Sequence, residues 1–147
     1  MKTLICTSFG VVGSMIAGLF GGWDFALATL IGFMSIDYIT GLIVAGVFHN
    51  SGKSENGALE SRAGWKGLCR KGGTLLVVLI ACRLDMLLGS TFVRDAVVIG
   101  YALNELISIT ENLGLMGIPI LPVFQRAIDA LQKKADPEDP GGKDGEP

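Results

Sequence analysis

The chain has 147 residues, enough for one domain of ordinary size. Half of the residues are apolar and only 18% are charged, whereas a water-soluble domain needs about 25% charged residues to cover its surface. The net charge of −2 gives no basic footprint for nucleic acid. Three scattered cysteines and one histidine do not suit a disulfide framework or a metal site. We therefore expect an all-α integral membrane protein without a cofactor.

The first apolar block, residues 4–20, is the first predicted transmembrane helix. It carries no charge, and at about 1.5 Å per residue it falls just short of a hydrocarbon core of about 30 Å. A signal peptide is the alternative, because Lys2 precedes the block and Ala-Leu-Ala follows at residues 26–28. Against this alternative, the block exceeds the usual apolar region of a signal peptide, and cleavage would fall inside the next apolar run.

Small residues recur every four positions at the start of the chain. The set comprises Gly10, Ser14, Gly18 and Gly22. Small residues at this spacing let two helix backbones approach closely, which favours helix association in lipid. We predict that this face joins copies of the chain; the alternative is the general flexibility of a glycine-rich sequence.

The second predicted span covers residues 25–48 and is long enough to cross a membrane with some tilt. One charge, Asp37, lies near its middle. The polar segment that follows contains the largest group of basic residues: Lys53, Arg62, Lys66, Arg70 and Lys71. We predict that this segment is a cytoplasmic loop, because loops rich in Lys and Arg stay on the inner side of the membrane.

The third and fourth predicted spans are residues 72–88 and 96–115. Arg83, near the end of the third, is expected to pair with Asp85 or to anchor the helix end. The fourth span has a polar stripe, so an interfacial or re-entrant helix also fits it. The predicted pore-lining or intramembrane polar residues are Asp37, Asp85, Asn104, Glu105, Ser108, Glu111 and Asn112.

Asp37 and Glu105 lie near the centres of their predicted spans. An ionised carboxylate facing lipid there would cost about 2.5–3.5 kcal/mol. These side chains must therefore face protein or water, or be protonated. Three interpretations remain open: hydrogen bonding between helices of one subunit, lining of water after assembly, and coupling to a proton or ion.

Residues 122–135 have the apolar periodicity of an amphipathic helix, and a proline suits its first turn. Residues 136–147 are acidic and rich in proline and glycine, so we predict a disordered tail after a membrane domain of residues 1–135. With four spans, the basic segment and both termini fall on the cytoplasmic side.

Three stretches in this order resemble a known family. They are DYITG at 37–41, SRAGWKGLCRK at 61–71 and NELISITEN at 104–112, the last followed by GIP at 117–119. Together they resemble the bacteriophage holin family that includes toxin-secretion and phage-lysis holins of clostridial type. The resemblance implies homo-oligomers that open lesions in the host cytoplasmic membrane. The acidic end of this chain departs from the basic tail usual in holins.

The holin interpretation implies four kinds of partner: other copies of the chain, the lipid bilayer, an endolysin or toxin cargo, and an antiholin. The sequence contains no GxSxG, HExxH or P-loop motif, so we expect no enzyme. One alternative is a small transporter or ion channel that uses intramembrane carboxylates. The other is an antiholin-like regulator of lysis, which would oligomerise without permeabilising the membrane.

The predicted topology can be tested with single cysteines at Ser54 and Ser90 in a chain whose own cysteines are replaced. We expect an impermeant thiol reagent to label Ser90→Cys in intact cells, because residue 90 lies in a predicted outer loop. It should spare Ser54→Cys until the cells are opened. Labelling of Ser54→Cys in intact cells would reverse the orientation.

Overall fold

The computed structural model describes residues 2–49 and 61–135, so Lys53 and the predicted acidic tail lie outside the described residues. The helices are α1 (Lys2–Leu19), α2 (Phe25–Ile43, continued by a π-helical turn, Val44–Phe48), α3 (Ser61–Leu88), α4 (Phe92–Leu115) and α5 (Pro122–Ala135). The prediction of an all-helical fold is confirmed for this part of the chain, which contains no strand.

Helices α2, α3 and α4 form a bundle around an apolar core. The core cluster comprises Leu27, Leu30, Met34, Val78 and Val98. The start of α2, the end of α3 and the start of α4 meet at one end of the bundle, where Arg94 bonds to Asp24. We call this the Arg94 end. Helices α2 and α4 run away from it in parallel, and α3 runs towards it.

Helix α1 is joined to the bundle near its own end. Side chains from Thr3 to Ile16 are exposed, whereas Phe20 packs against the core cluster. Gly21 lies beside Cys82 at a φ of +79°, and a Cβ atom there would lie 3.2 Å from the Cys82 Sγ atom. The turn therefore needs glycine for its backbone and for the close approach.

The predicted helix-association set is divided by the end of α1. Gly10, Ser14 and Gly18 lie on the helix, but Gly22 lies in the following turn at a φ of +103°. A Cβ atom added at Gly10 or Gly18 would meet nothing within 4 Å. This part of the predicted face is therefore not covered by any of the described residues.

The third helix begins before the predicted span. It starts at Ser61 rather than residue 72, so Arg62, Lys66 and Lys71 lie on a helix and not in a loop. The apolar run at residues 72–88 indicated only the part of the helix that is suited to lipid. The polar residues before it extend the helix because no proline interrupts residues 61–71.

The predicted helix at 122–135 is confirmed as α5. Its apolar residue Ile128 is buried in a second cluster with Leu103 and Leu106 of α4. Helix α5 runs back along α4, so that Lys134 lines the same surface cavity as Ser90, near the Arg94 end. The apolar face of α5 therefore packs against α4. The cytoplasmic position predicted for this helix stays a prediction.

Among the described residues, one helical stretch, Phe25–Phe48, is long and apolar enough to cross a membrane. Thr3–Leu19 is apolar but shorter. Helix α3 includes Lys71, Arg83 and Asp85, and α4 contains the polar stripe. The second predicted span therefore passes this test, and a four-span topology stays a prediction.

Asp24 serves both as the cap of α2 and as the partner of Arg94. Its Oδ1 accepts the Leu27 N–H at 2.9 Å, and its Oδ2 lies 2.7 Å from Arg94 Nη1. The hydrogen bond from Arg94 is the main reason why the pKa of Asp24 lies below its ordinary value. The ion pair therefore needs an ionised Asp24.

Replacing Asp24 by Asn should keep the cap and remove the ion pair, because both residues are good caps. The stability difference from the parent should be fully present above the ordinary Asp pKa of about 3.9. It should disappear as the pH falls through the lowered folded-state pKa of Asp24. Thermal unfolding in detergent across this pH range measures it.

Asp95→Asn is the matched control, because the Asp95 carboxylate lies 3.8 Å from the same guanidinium, whereas that of Asp24 lies at 2.7 Å. It should change stability less than Asp24→Asn, because the longer contact is the weaker of the two exposed ion pairs. Equal effects of the two variants would contradict a specific role for Asp24.

Candidate functional site

A buried ion cluster joins the three helices of the bundle. Lys71 of α3 lies between two carboxylates, with its Nζ atom 2.8 Å from Asp37 Oδ2 of α2 and hydrogen-bonded to Glu105 Oε2 of α4. The side chains of Lys71, Asp37 and Glu105 are 13%, 9% and 8% exposed. The three charges therefore meet inside the bundle, away from the helix ends.

Asn112 completes the site on the α4 side. Its Nδ2 group donates to Asp37 Oδ1 at 3.1 Å and to Thr40 Oγ1 at 3.0 Å. The Thr40 hydroxyl donates in turn to the Asp37 carbonyl oxygen at 3.1 Å. Both carboxylate oxygens of Asp37 are therefore bonded, one by an ammonium and the other by an amide.

The cluster contains two carboxylates and one ammonium group. Removing one partner from a buried ion pair leaves an uncompensated charge, which is strongly destabilising. Here Lys71 is the common partner of both carboxylates, and each carboxylate belongs to a different helix. The site is thus suited to fix the relative position of α2, α3 and α4.

The predicted polar residues of α4 lie on two sides of that helix. Glu105 and Asn112 are buried in the ion cluster, and Ser108 is half-buried. Asn104 and Glu111 are exposed. In this conformation Glu105 is bonded to Lys71, so the polar stripe is not one continuous wall open to water.

Asp85 lies apart from the ion cluster, at the Arg94 end. Its carboxylate accepts hydrogen bonds from Ser90 Oγ at 2.6 Å and from the N–H groups of Val93 and Arg94 at 3.1 and 2.7 Å. It thereby caps the first turn of α4 from the preceding helix. Arg83, the partner expected for Asp85, is exposed and pairs with no carboxylate in the described ranges.

Lys71 is the site residue whose role the sequence analysis missed. It was assigned to a cytoplasmic loop with Arg70, yet Arg70 is exposed, whereas Lys71 is half-buried and its ammonium group contacts Asp37 and Glu105. The sequence did contain one sign of this role. Asp37 and Glu105 both lie in apolar segments, where each needs a group of opposite charge. Lys71 is the basic residue that directly precedes the apolar part of α3.

Within the described residues, no group of three or more His, Cys, Asp or Glu side chains is arranged to hold a metal ion. Cys6 and Cys69 are exposed, and Cys82 is buried; all three are free thiols. The contacts of Lys71, Asp37, Glu105 and Asn112 are those of a charge-assisted hydrogen-bond cluster joining helices.

The fold and the ion cluster define a small helical bundle that encloses charge and exposes apolar side chains. The family model described as "Bacteriophage holin family" matches residues 14–133. The chain therefore belongs to the bacteriophage holin family. Membership implies association with the cytoplasmic membrane and oligomerisation in general.

Several proteins of known sequence are similar to the chain. An uncharacterized protein of Clostridium perfringens strain 13 is 37% identical over 135 residues, covering 89% of this chain and 94% of its own length. An uncharacterized protein of Listeria monocytogenes is 35% identical over 134 residues, covering 89% and 90%. A probable holin of Bacillus phage phi105 is 35% identical over 102 residues, covering 69% and 70%. No solved structure matches the chain.

Replacing Lys71 by Met should destabilise the bundle by about 3–5 kcal/mol, the usual result of breaking a buried ion pair from one side. Glu105→Gln should destabilise it less, because Asp37 and Lys71 remain paired one to one. Unfolding of the purified protein in mixed micelles, followed by circular dichroism, compares the variants.

Lys66→Met is the control on the same helix, because Lys66 is exposed. Adding Asp37→Asn and Glu105→Gln to Lys71→Met should recover much of the lost stability, since no uncompensated charge is then left. Equal losses of stability for Lys71→Met and Lys66→Met would show that the ion cluster does not stabilise the bundle.

Proposed function

We propose that the chain is a holin that assembles with copies of itself in the host cytoplasmic membrane and opens lesions there. Through these lesions an endolysin would be released or activated, or a toxin exported, and the host cell would lyse. Family membership supports the holin role, and a similar protein is named a probable holin. Pore formation, endolysin and toxin export are part of the proposal.

The observation that carries this proposal is the apolar surface that the chain leaves uncovered. Large apolar side chains are exposed on several helices, with Phe9 76%, Phe25 87% and Leu87 84% exposed. A soluble monomer rarely exposes a contiguous apolar patch larger than a few hundred Å². Lipid and other copies of the chain are the surroundings that suit such a surface.

The position of the charges supports insertion of the bundle. Ionisable residues inside a membrane usually face the bundle interior and pair with one another. Asp37, Lys71 and Glu105 have this arrangement. The outer side of α3 beyond Lys71 instead carries exposed Leu76 and Ile80.

The basic residues support one orientation. Arg62, Lys66 and Arg70 are exposed on the first part of α3, at the end of the bundle opposite the Arg94 end. We assign this end to the cytoplasm, together with the N terminus, by the positive-inside rule. A cytoplasmic C terminus requires α5 to leave α4 and lie on the inner membrane surface, as amphipathic helices do.

The contacts also weigh against the transporter alternative. A coupling carboxylate must gain and lose its ion, yet Asp37 and Glu105 are both bonded to Lys71. A lesion forms instead when helices separate or rearrange. The proposed function therefore requires a rearrangement of the whole bundle and no release of an ion from a single carboxylate. An antiholin-like regulator would share the fold, and permeabilisation distinguishes it from a holin.

Co-expression with a cytoplasmic endolysin in a bacterial host tests the proposal. We expect growth to stop abruptly after a delay, followed by lysis, because macromolecules then cross the membrane. The endolysin alone and the chain alone are the controls, and release of a cytoplasmic enzyme reports the size of the opening. Oligomerisation without release of the enzyme would favour the antiholin-like alternative.

Variants of Glu105 test the further proposal that the buried part of the stripe becomes exposed to water during assembly. We expect Glu105→Gln to bring lysis forward, because it weakens the bond to Lys71 while keeping shape and polarity. Glu105→Leu should change the timing of lysis more, since an apolar side chain is unfavourable on a surface that lines water. Lysis time courses with immunoblots of the membrane fraction measure both effects.

Thr74→Val and Ser35→Ala are controls for a general effect of substitution inside the helices, because neither residue belongs to the ion cluster. Unchanged timing for both Glu105 variants at equal membrane abundance would make a water-lining role untenable. A fall in abundance alone would indicate that Glu105 only holds the helices together.

A further inference from the structure

One side of α3 carries basic residues followed by apolar residues. Six exposed side chains lie there within a helical arc of about 80°. They are Arg62, Lys66, Arg70, Val77, Ile80 and Leu84. We call this set the outer face of α3, with a basic half at the start of the helix and an apolar half beyond it.

The basic half has no partner among the described residues. Arg62, Lys66 and Arg70 make no hydrogen bond or ion pair with any of them. Helix α3 also contains no acidic residue before Asp85. Like charges four residues apart on a helix repel one another. The basic half therefore favours a partner that brings negative charge.

The apolar half matches the depth of one membrane leaflet. Gly73 lies between the two halves, and a Cβ atom built there meets nothing within 4 Å. From Gly73 to Leu84 the helix rises about 16 Å at about 1.5 Å per residue, which is close to half of a hydrocarbon core of about 30 Å. When the apolar half lies among acyl chains, the basic half lies at the level of the headgroups.

We infer that the outer face of α3 binds anionic phospholipids of the inner leaflet, with their headgroups at the basic half and their acyl chains along the apolar half. The inference rests on the proposed function, since it requires α3 to lie in the membrane with its start in the cytoplasm. Guanidinium and ammonium groups bind phosphate through charge-assisted hydrogen bonds. A headgroup with a net negative charge is favoured further, because basic side chains beside a membrane helix attract anionic lipids.

A second copy of the chain suits this face less well than a lipid. Copies inserted in the same orientation carry their basic halves at the same depth, so two outer faces in contact would bring like charges together. An acidic protein in the cytoplasm would reach the basic half but leave the apolar half unmatched. An anionic phospholipid matches both halves in the order in which they occur along α3.

Quenching of a single tryptophan by brominated lipids tests this surface. Ile80→Trp places the reporter on the apolar half, and Trp23→Phe with Trp65→Phe removes the two natural tryptophans. The full chain is reconstituted in vesicles of phosphatidylcholine and phosphatidylglycerol in equal amounts, with bromine on the acyl chains of one lipid or the other. The two preparations compare the affinities of the two lipids for the face.

We expect phosphatidylglycerol to bind about fivefold more tightly, which is the contribution of one basic residue beside an anionic headgroup. Added salt should reduce this preference, because it screens exposed charges. The salt titration needs no substitution in the basic half, so it tests the surface even where such a variant fails to fold. A preference that salt does not change would overturn the inference.

The triple variant Arg62→Gln, Lys66→Gln and Arg70→Gln should abolish the preference. Arg62→Lys with Arg70→Lys should retain most of it, because the charges are kept. Persistence of the preference in the triple variant would overturn the inference. Equal quenching by both lipids without these substitutions would do the same. Quenching by neither lipid would show that another copy of the chain covers the face, and would also overturn it.

The matched control replaces three exposed basic residues of α5 by glutamine: Arg126, Lys133 and Lys134. It has the same net charge as the α3 triple variant, and it should leave the preference at the reporter unchanged. Equal loss of the preference in the two triple variants would reject a specific surface on α3, because net charge alone would then explain it.

The lysis assay separates this inference from the proposed function. Lysis by the parent chain with endolysin, together with equal quenching by both lipids, would leave the holin role standing and reject the lipid surface. Absence of lysis would reject the function, whereas a salt-sensitive preference for phosphatidylglycerol would still support the surface.

Discussion

The arrangement of the bundle depends on one constraint, which is that two buried carboxylates share one ammonium group. Asp37 and Glu105 lie on the parallel helices α2 and α4. Lys71, on the antiparallel helix α3, places its ammonium group between their carboxylates. Rotating any of the three helices would direct a charged group outwards, towards apolar surroundings. The apolar core contacts could tolerate a small slide, because hydrophobic packing is not directional. The ion cluster could not, so it sets both the rotation and the register of the helices.

Two further carboxylates fix the Arg94 end in a different way. Asp85 caps α4 through backbone N–H groups, and Asp24 caps α2 while pairing with Arg94. These bonds join helix ends that are adjacent in space, so they define the connections between helices. The bundle is therefore held at one end by caps and in its interior by charge. Its outer surface is left apolar, which is the property that family membership and the proposed membrane assembly require.

The sequence predicted the helices more successfully than their faces. Residues 25–48 and 122–135 appear with the predicted bounds because apolar periodicity and proline mark them directly. The sequence did not predict that α3 begins at Ser61, because the polar part of this helix carries no apolar periodicity. Lys71 was grouped with exposed neighbours, since a charge next to an apolar run is usually at an interface. Only its position opposite both carboxylates, a long-range contact, distinguishes it from Arg70.

The polar stripe of α4 illustrates the same limit at finer detail. Asn104 and Glu105 are adjacent in sequence, and both belong to a stripe that periodicity alone describes as one face. They point about 100° apart on a helix, which is enough to bury one and expose the other. Which of them faces inwards depends on where α2 and α3 pack, and the sequence of α4 does not contain that information.

Burial of Glu105 also gives the protein a polar contact that does not depend on concentration. The bond between Glu105 and Lys71 forms within one copy, so it is present in every folded copy at any abundance. Contacts between copies, by contrast, form only as copies accumulate, because association follows mass action. Under the proposed function, a single copy is thus kept closed by its internal charges, while its uncovered surfaces remain available for assembly. Accumulation in the membrane would then favour assembly without any change in the chain itself.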